Sequence, residues 1–189
     1  MMEELDDAGL MRLAAGGDER AFEILVERHQ NMVVGTAARM LGGVEGAEDL
    51  AQQVFLRAWQ AAGRYRPTAK FTTWLLTITR NLVFNECRRR MAHRTVSLDD
   101  PDSGLPERAC GGAAGAEALH ERELERAVDA AIAALPEAQR LAVVLRRFEA
   151  MPYEEIAEVL GTSVPAVKSL LFRARADLQV RLKGYLAEG

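Results

Sequence analysis

Residues 153–178 read YEEIAEVLGTSVPAVKSLLFRARADL, and their pattern decides the fold. Tyr153, Ile156, Ala157 and Leu160 recur at i, i+3, i+4 and i+7, the spacing of one face of an α-helix. Gly161 can take the left-handed conformation that ends such a helix. Ser163 can cap a second one, with Pro165 in its first turn, where a missing N–H costs nothing. Val164, Val167, Leu171, Ala174 and Leu178 then form one stripe. Ser169, Phe172 and Arg173 point away from that stripe, and Lys168 lies at its edge. Two helices, a tight turn, an apolar back and a basic outer face describe a helix-turn-helix. Arg173 is the candidate reader of a guanine edge, and Lys168 and Ser169 are placed to touch bases or phosphates. Arg175 falls toward the apolar side and is expected to reach a phosphate or an acid. An ordinary helical hairpin with solvated arginines is the alternative reading of the same pattern.

The helical period continues upstream. A short helix is expected over 10–15 and a longer one over 21–41, closed by Gly42-Gly43. On the longer one Phe22, Leu25, Val26, His29, Met32 and Val33 share a stripe, so His29 reads as a packed core histidine. A third helix spans 47–61, with Ala47, Leu50, Ala51, Val54, Ala58 and Ala61 on one face. Opposite lie Asp49, Gln52, Leu56 and Trp59, with Gln53 and Phe55 at the sides. Leu56 on an otherwise polar face suggests a docking surface for a partner. Thr72 can cap a fourth helix running through Trp74, Leu75, Ile78 and Leu82 to Arg88-Arg89-Arg90. Residues 97–116, SLDDPDSGLPERACGGAAGA, have no period and read as a flexible acidic linker. Helices resume over 117–134 and 137–148. The fold class is therefore all-α: two small helical domains, 1–94 and 119–189, joined by a linker over 95–118.

Composition limits the function. The chain of 189 residues carries a net charge of −4, an odd sign for a nucleic-acid binder. The charge is unevenly spread: residues 64–94 hold eight Arg/Lys against one acid, and 163–183 hold five against one. Two basic patches on an acidic body should bind DNA weakly without help, because few cations are available to displace counterions. Cys87 and Cys110 are too few for a disulfide framework and fit a reducing compartment. The acidic start MMEELDDAGL does not resemble a secretory signal, and no apolar run is long enough to span a bilayer. A cytoplasmic location without membrane insertion is expected.

The first basic patch, RYRPTAKFTTWLLTITRNLVFNECRRR (64–90), interleaves cations with aromatics. That mixture suits single-stranded DNA, whose backbone needs cations and whose unstacked bases need aromatic faces. Trp74 and Phe71 can equally be core residues. Asn81 and Asn85 can read an adenine edge, cap, or be solvated.

Three segments together resemble the bacterial RNA polymerase sigma factors of the extracytoplasmic-function (ECF) group of the sigma-70 family. AEDLAQQVFLRAW (47–59) is similar to the core-binding helix of sigma region 2. KFTTWLLTITRNLVFNECRRR (70–90) is similar to the segment that melts and recognises the −10 element. LPEAQRLAVVLRRFEAMPYEEIAEVLGTSVPAVKSLLFRARADLQ (135–179) is similar to region 4, which binds the −35 element. The resemblance implies that Asp49, Gln52, Gln53 and Leu56 meet the clamp helices of the polymerase largest subunit. It implies that Tyr65, Lys70, Phe71, Thr72, Thr73 and Trp74 surround a flipped non-template base, with Arg80, Asn81 and Arg88 near the melted strand. Lys168, Ser169, Phe172 and Arg173 would enter the −35 major groove, with Arg175 nearby. Region 4 would dock on the flap of the second-largest subunit, the acidic linker would thread toward the RNA exit path, and an anti-sigma factor is an expected partner. Leu170 departs from the pattern, because many members carry a basic residue directly after the Ser of the recognition helix.

Two other classes fit less of the chain. A stand-alone helix-turn-helix regulator leaves the 64–94 patch without a purpose. An enzyme needs a nucleophile–base pair or a ligand set, and His29, His93, His120, Cys87 and Cys110 fall in neither spacing. No catalytic residue, metal or cofactor is expected.

Overall fold

Two aspartates start the first two helices. Asp6 accepts a hydrogen bond from the Gly9 amide at 2.8 Å and opens α1 (Asp7–Ala15). Asp18 accepts from the Ala21 amide at 3.0 Å and opens α2 (Glu19–Leu41). Each satisfies one of the four amides that a helix leaves unpaired at its start. Gly42, at φ 76°, closes α2 in the left-handed region, as the glycine pair predicts. α3 (Ala47–Ala61) has no side-chain cap, but Glu48 and Asp49 place negative charge in its first turn. A 3-10 turn, Ala62–Arg64, leads to α4 (Phe71–Ser97). The computed structural model describes residues 4–97 and 116–186, with side chains over 4–93 and 122–185. Residues 98–115, most of the expected linker, and Cys110 lie outside the described residues.

The second half comprises α5 (Ala116–Ala133), α6 (Glu137–Arg147), α7 (Tyr153–Leu160), α8 (Val164–Arg181) and the short α9 (Lys183–Leu186). No strand occurs among the described residues. Leu10, Leu25, Val54 and Leu75 anchor the core of α1–α4, and Leu141, Leu145, Ile156 and Val167 anchor that of α6–α8. Every one of these is 5% exposed or less, so the predicted apolar faces are the buried ones.

Two sequence expectations change. Thr72 is not the cap of α4: the Trp74 amide bonds to the Lys70 carbonyl at 3.2 Å, which puts Lys70 at the cap position and Thr72 inside the first turn. Trp59 does not stand out on the polar face, and Phe55, expected at its side, is buried. Phe22 meets Trp59 edge-on at 5.1 Å and Phe55 at 6.5 Å, so the indole turns back toward α2. His29 is largely buried as expected, but it is also paired. Its Nε2 lies 2.8 Å from Asp7 Oδ2 and its ring sits 5.1 Å from Phe71. The hydrogen bond from His29, with Arg28 assisting against burial, holds the Asp7 carboxyl below its usual range.

The two halves pack together, α7 on α4 and α6 on α2. Arg140 joins them. Its guanidinium donates to the Met40 carbonyl at 2.5 Å, near the end of α2, and to the carbonyls of Ala133, the last residue of α5, and Leu135 just beyond it. These are the C-terminal carbonyls a helix cannot satisfy itself. Burial pushes the Arg140 pKa down, and its Nε finds no protein acceptor. Nearby, Thr36 donates to Glu149 at 3.3 Å and Arg39 lies 3.9 Å over the Phe148 ring. Burial raises the Glu149 pKa, with Thr36 and Arg39 opposing. The Cys87 thiol points at the same Met40 carbonyl, 3.7 Å away. Burial and Glu137 raise its pKa, which makes it a poor nucleophile.

Candidate nucleic-acid interface

The helix-turn-helix is built as its sequence requires. Gly161 takes φ 64° at the turn, and Ser163 Oγ accepts from the Ala166 amide at 3.4 Å to start α8. Val167 and Ala174 are fully buried beneath α8. Lys168, Ser169, Arg173 and Arg175 are exposed, and Phe172 is 75% exposed. Phe172 thus stands as an exposed apolar side chain among cations, on a helix packed from behind through Val167 and Ala174. Ser169 donates its hydroxyl to the Pro165 carbonyl at 3.1 Å, which leaves its oxygen free to accept. Leu170, half-buried, packs against the core and so supports the helix from behind.

On α3, Asp49, Gln52, Gln53 and Leu56 all face solvent at helical spacing. Leu56 is 57% exposed and stands on this polar face as an apolar knob.

The segment from Tyr65 to Arg88 divides into wall and rim. Phe71 is 3% exposed and belongs to the core. Tyr65 and Trp74 lie partly exposed in front of it, with ring centroids 5.2 Å apart and 6.1 and 5.8 Å from Phe71. Burial raises the Tyr65 pKa, with the Asp7 and Asp6 charges adding to it, so the phenol stays neutral. Trp74 is thus half core and half surface. Lys70 projects into solvent, Thr72 is half-buried, and Thr73 is 2% exposed. Arg80 clasps Asn81 through Nε and Nη2 at 3.1 and 2.7 Å. Arg88 donates to Asn85 at 2.6 Å and to the Phe84 carbonyl at 3.3 Å. Arg80, Asn81, Phe84, Asn85 and Arg88 line a cleft of about 350 Å³, with Leu160 of α7 as a further wall.

The arginine run is less available than its sequence suggests. Glu86, the one acid of the patch, takes two bonds from Arg89 at 2.8 and 2.9 Å and one from Arg90 at 2.9 Å. Arg90 also donates to the Glu45 carbonyl at 3.0 Å. Hydrogen bonding to Arg89, followed by Arg90, holds the Glu86 carboxyl at about 2, against burial. A lowered carboxyl pKa gives stability that is present above the unfolded value of 4.5 and lost as pH falls through about 2. Denaturation of Glu86→Gln beside the parent should show a stability gap that is constant above pH 4.5 and closes toward pH 2. A gap independent of pH would contradict the pairing.

Sequence reasoning missed Arg140, Glu149 and Glu155. One signal was present for α7: Val159 is apolar yet off the stripe of Tyr153, Ile156, Ala157 and Leu160. It is fully buried and marks a second packing face on the side of Glu155.

Among the described residues no group of His, Cys, Asp and Glu could hold a metal, and no helix is long and apolar enough to cross a membrane. Residues 25–93 match the family model for sigma-70 region 2, and residues 125–178 match that for sigma-70 region 4. The chain is 33% identical to the RNA polymerase sigma-H factor of Pseudomonas aeruginosa, with 100% of both chains covered. It is 32% identical to the ECF RNA polymerase sigma-E factor of Escherichia coli, over 97% of each. Its fold is similar to CnrH in complex with the cytosolic domain of CnrY, with a TM-score of 0.69, 29% identity and coverage of 94% and 97%. It is also similar to the sigma factor RpoE bound to the anti-sigma factor NepR from Bartonella quintana, with a TM-score of 0.63, 26% identity and coverage of 86% and 96%. With both regions matched in chain order and relatives aligned end to end, the chain belongs to the ECF group of the sigma-70 family of RNA polymerase sigma factors.

Proposed function

We propose that the chain binds core RNA polymerase and directs promoter-specific initiation, reading −35 duplex with α8 and melted −10 DNA with α4. Two exposed faces with different chemistry on one chain carry this reading. The α3 face of Asp49, Gln52, Gln53 and Leu56 has a neutral-to-acidic rim and an apolar centre, which suits a protein partner rather than phosphate. The α8 face of Lys168, Ser169, Phe172 and Arg173 is basic and suits a major groove. We assign region 2 to 1–94, the tether to 95–118 and region 4 to 119–189.

In this reading the polymerase supplies all the chemistry, the chain works in the cytoplasm, and no catalytic group or cofactor is its own. The base-capture site is formed by Tyr65 and Trp74 in front of Phe71, with Lys70 and Thr72 on its rim and Thr73 buried against Glu155. Arg80, Asn81 and Arg88 follow the strand. Contacts to the captured base offset unstacking, which costs a few kcal/mol. An anti-sigma partner that holds both domains is a further expectation, motivated by the complexes of CnrH and RpoE.

Electrophoretic mobility separates this from a stand-alone regulator. The free chain should give no sequence-specific complex with duplex DNA, and adding core polymerase should produce one. Tight, specific binding by the chain alone would favour the regulator. Arg173→Ala should weaken the holoenzyme complex by about 1–3 kcal/mol and relax one −35 position. Unchanged promoter choice would remove Arg173 from the recognition surface.

A further inference from the structure

Three of the residues assigned to the melted strand are occupied by the chain itself. Lys70 Nζ lies 2.6 Å from Glu155 Oε1, and Thr73 Oγ1 donates to Glu155 Oε2 at 3.4 Å. Arg80 Nη1 donates to the Val159 carbonyl at 2.6 Å. Glu155 and Val159 are one turn apart on the same side of α7. A carboxylate offers two anionic oxygens to an ammonium and a hydroxyl, the same partners a phosphate would take. The C-terminal carbonyls of α7 carry the negative end of the helix dipole and receive the guanidinium. Gly161 sits against that guanidinium as well: a Cβ there would lie 3.3 Å from Arg80 Nη1. Leu160 walls the cleft that Arg80, Asn81 and Arg88 line.

We propose that α7 is an internal competitor for the strand-binding segment of α4, with Glu155 standing in for a backbone phosphate. The inference rests on the strand-binding role given above to Lys70, Thr73 and Arg80. The contact is selective. It engages Lys70, Thr73 and Arg80 of the −10 reader but leaves the α8 face and the α3 face exposed. The closed chain can therefore meet polymerase through α3, and the −10 reader becomes available once region 4 is drawn off α4. Apparent affinity for single-stranded DNA falls by the fraction of chain that is open.

The test uses the full chain and a fluorescein-labelled single-stranded DNA of random sequence, read by anisotropy. Glu155→Gln keeps the shape and removes the charge. Because Lys70 is 70% exposed, the ion pair is partly screened, and the variant should bind about three- to tenfold tighter than the parent. Glu154→Gln removes an equal charge from the exposed side of α7 and should change affinity by less than about twofold. Lys70→Ala added to Glu155→Gln should abolish the gain. Equal affinity of Glu155→Gln and parent, or an equal gain in Glu154→Gln, would overturn the proposal. Permanganate footprinting of promoter opening by holoenzyme carrying Lys70→Ala or Arg80→Ala separates the two layers. If these variants open promoters less well while Glu155→Gln shows no gain, only the internal competition is wrong. If they open promoters normally, the strand-binding assignment itself fails.

Discussion

Core polymerase should bind the Leu56→Asp chain at least about 30-fold more weakly than the parent, since a central interface anchor is worth 2 kcal/mol or more. Leu56 is 57% exposed on the face it shares with Asp49, Gln52 and Gln53, so nothing in the fold depends on it. A partner that buries it would have to bury the new carboxylate unpaired, at a cost larger than lost apolar area alone. The variant's unfolding free energy from urea denaturation should stay within about 0.5 kcal/mol of the parent's, as for surface substitutions generally. A pull-down with core polymerase and a denaturation curve decide it together. Undiminished binding would remove α3 from the polymerase interface, whereas a large loss of stability would mean that Leu56 supports the fold.

Leu75→Ala makes the opposite cut. Leu75 is fully buried in α4, beneath the segment whose outer side carries the strand-binding candidates. Truncation removes apolar contact and leaves a cavity, with an expected loss of about 2–5 kcal/mol. For a chain of this size that is a fall of roughly 4–20 °C in the thermal midpoint. Calorimetry reads it, and promoter opening should fail at temperatures the parent tolerates. A midpoint within a degree or so of the parent's would mean that α4 is not seated as described.

The contrast between these two leucines shows what the sequence could and could not reveal. Leu75 sits in helical register with Ile78 and Leu82, so the same period that marks the helix also marks its apolar side. Leu56 was visible because it broke a polar face. The helix-turn-helix was equally legible, since Gly161, Ser163 and Pro165 each have a conformational reason to stand where they do. The start of α4 was misread because a threonine at 72 is a plausible cap. The choice of Lys70 instead depends on how the loop from Arg64 arrives. Trp59 was placed outward by its angle on the helix, but Phe22 of α2 offers an edge that draws it in.

The contacts between the halves were not legible at all. Arg80 reaches Val159 across 79 positions and Arg140 reaches Met40 across 100, and helical period reports only neighbours within a turn or two. Read as patches of charge, 64–94 and 163–183 looked like two independent DNA-binding surfaces on a loose tether. Packed, they are unequal. The basic face of α8 stays open, while Arg80, Arg88, Arg89 and Arg90 of α4 are spent on Glu86, Asn81, Asn85 and α7. The same charges that suit a nucleic acid also suit acidic groups within the chain, so composition alone could not say which they meet.

This chain should confer promoter selectivity on a polymerase that lacks it. Multi-round transcription of a randomised promoter pool by core polymerase, with and without the chain, tests it most directly. Transcripts should appear only with the chain, and the enriched templates should share a −35 and a −10 element. Transcription that is independent of the chain, or enrichment of no shared element, would contradict it.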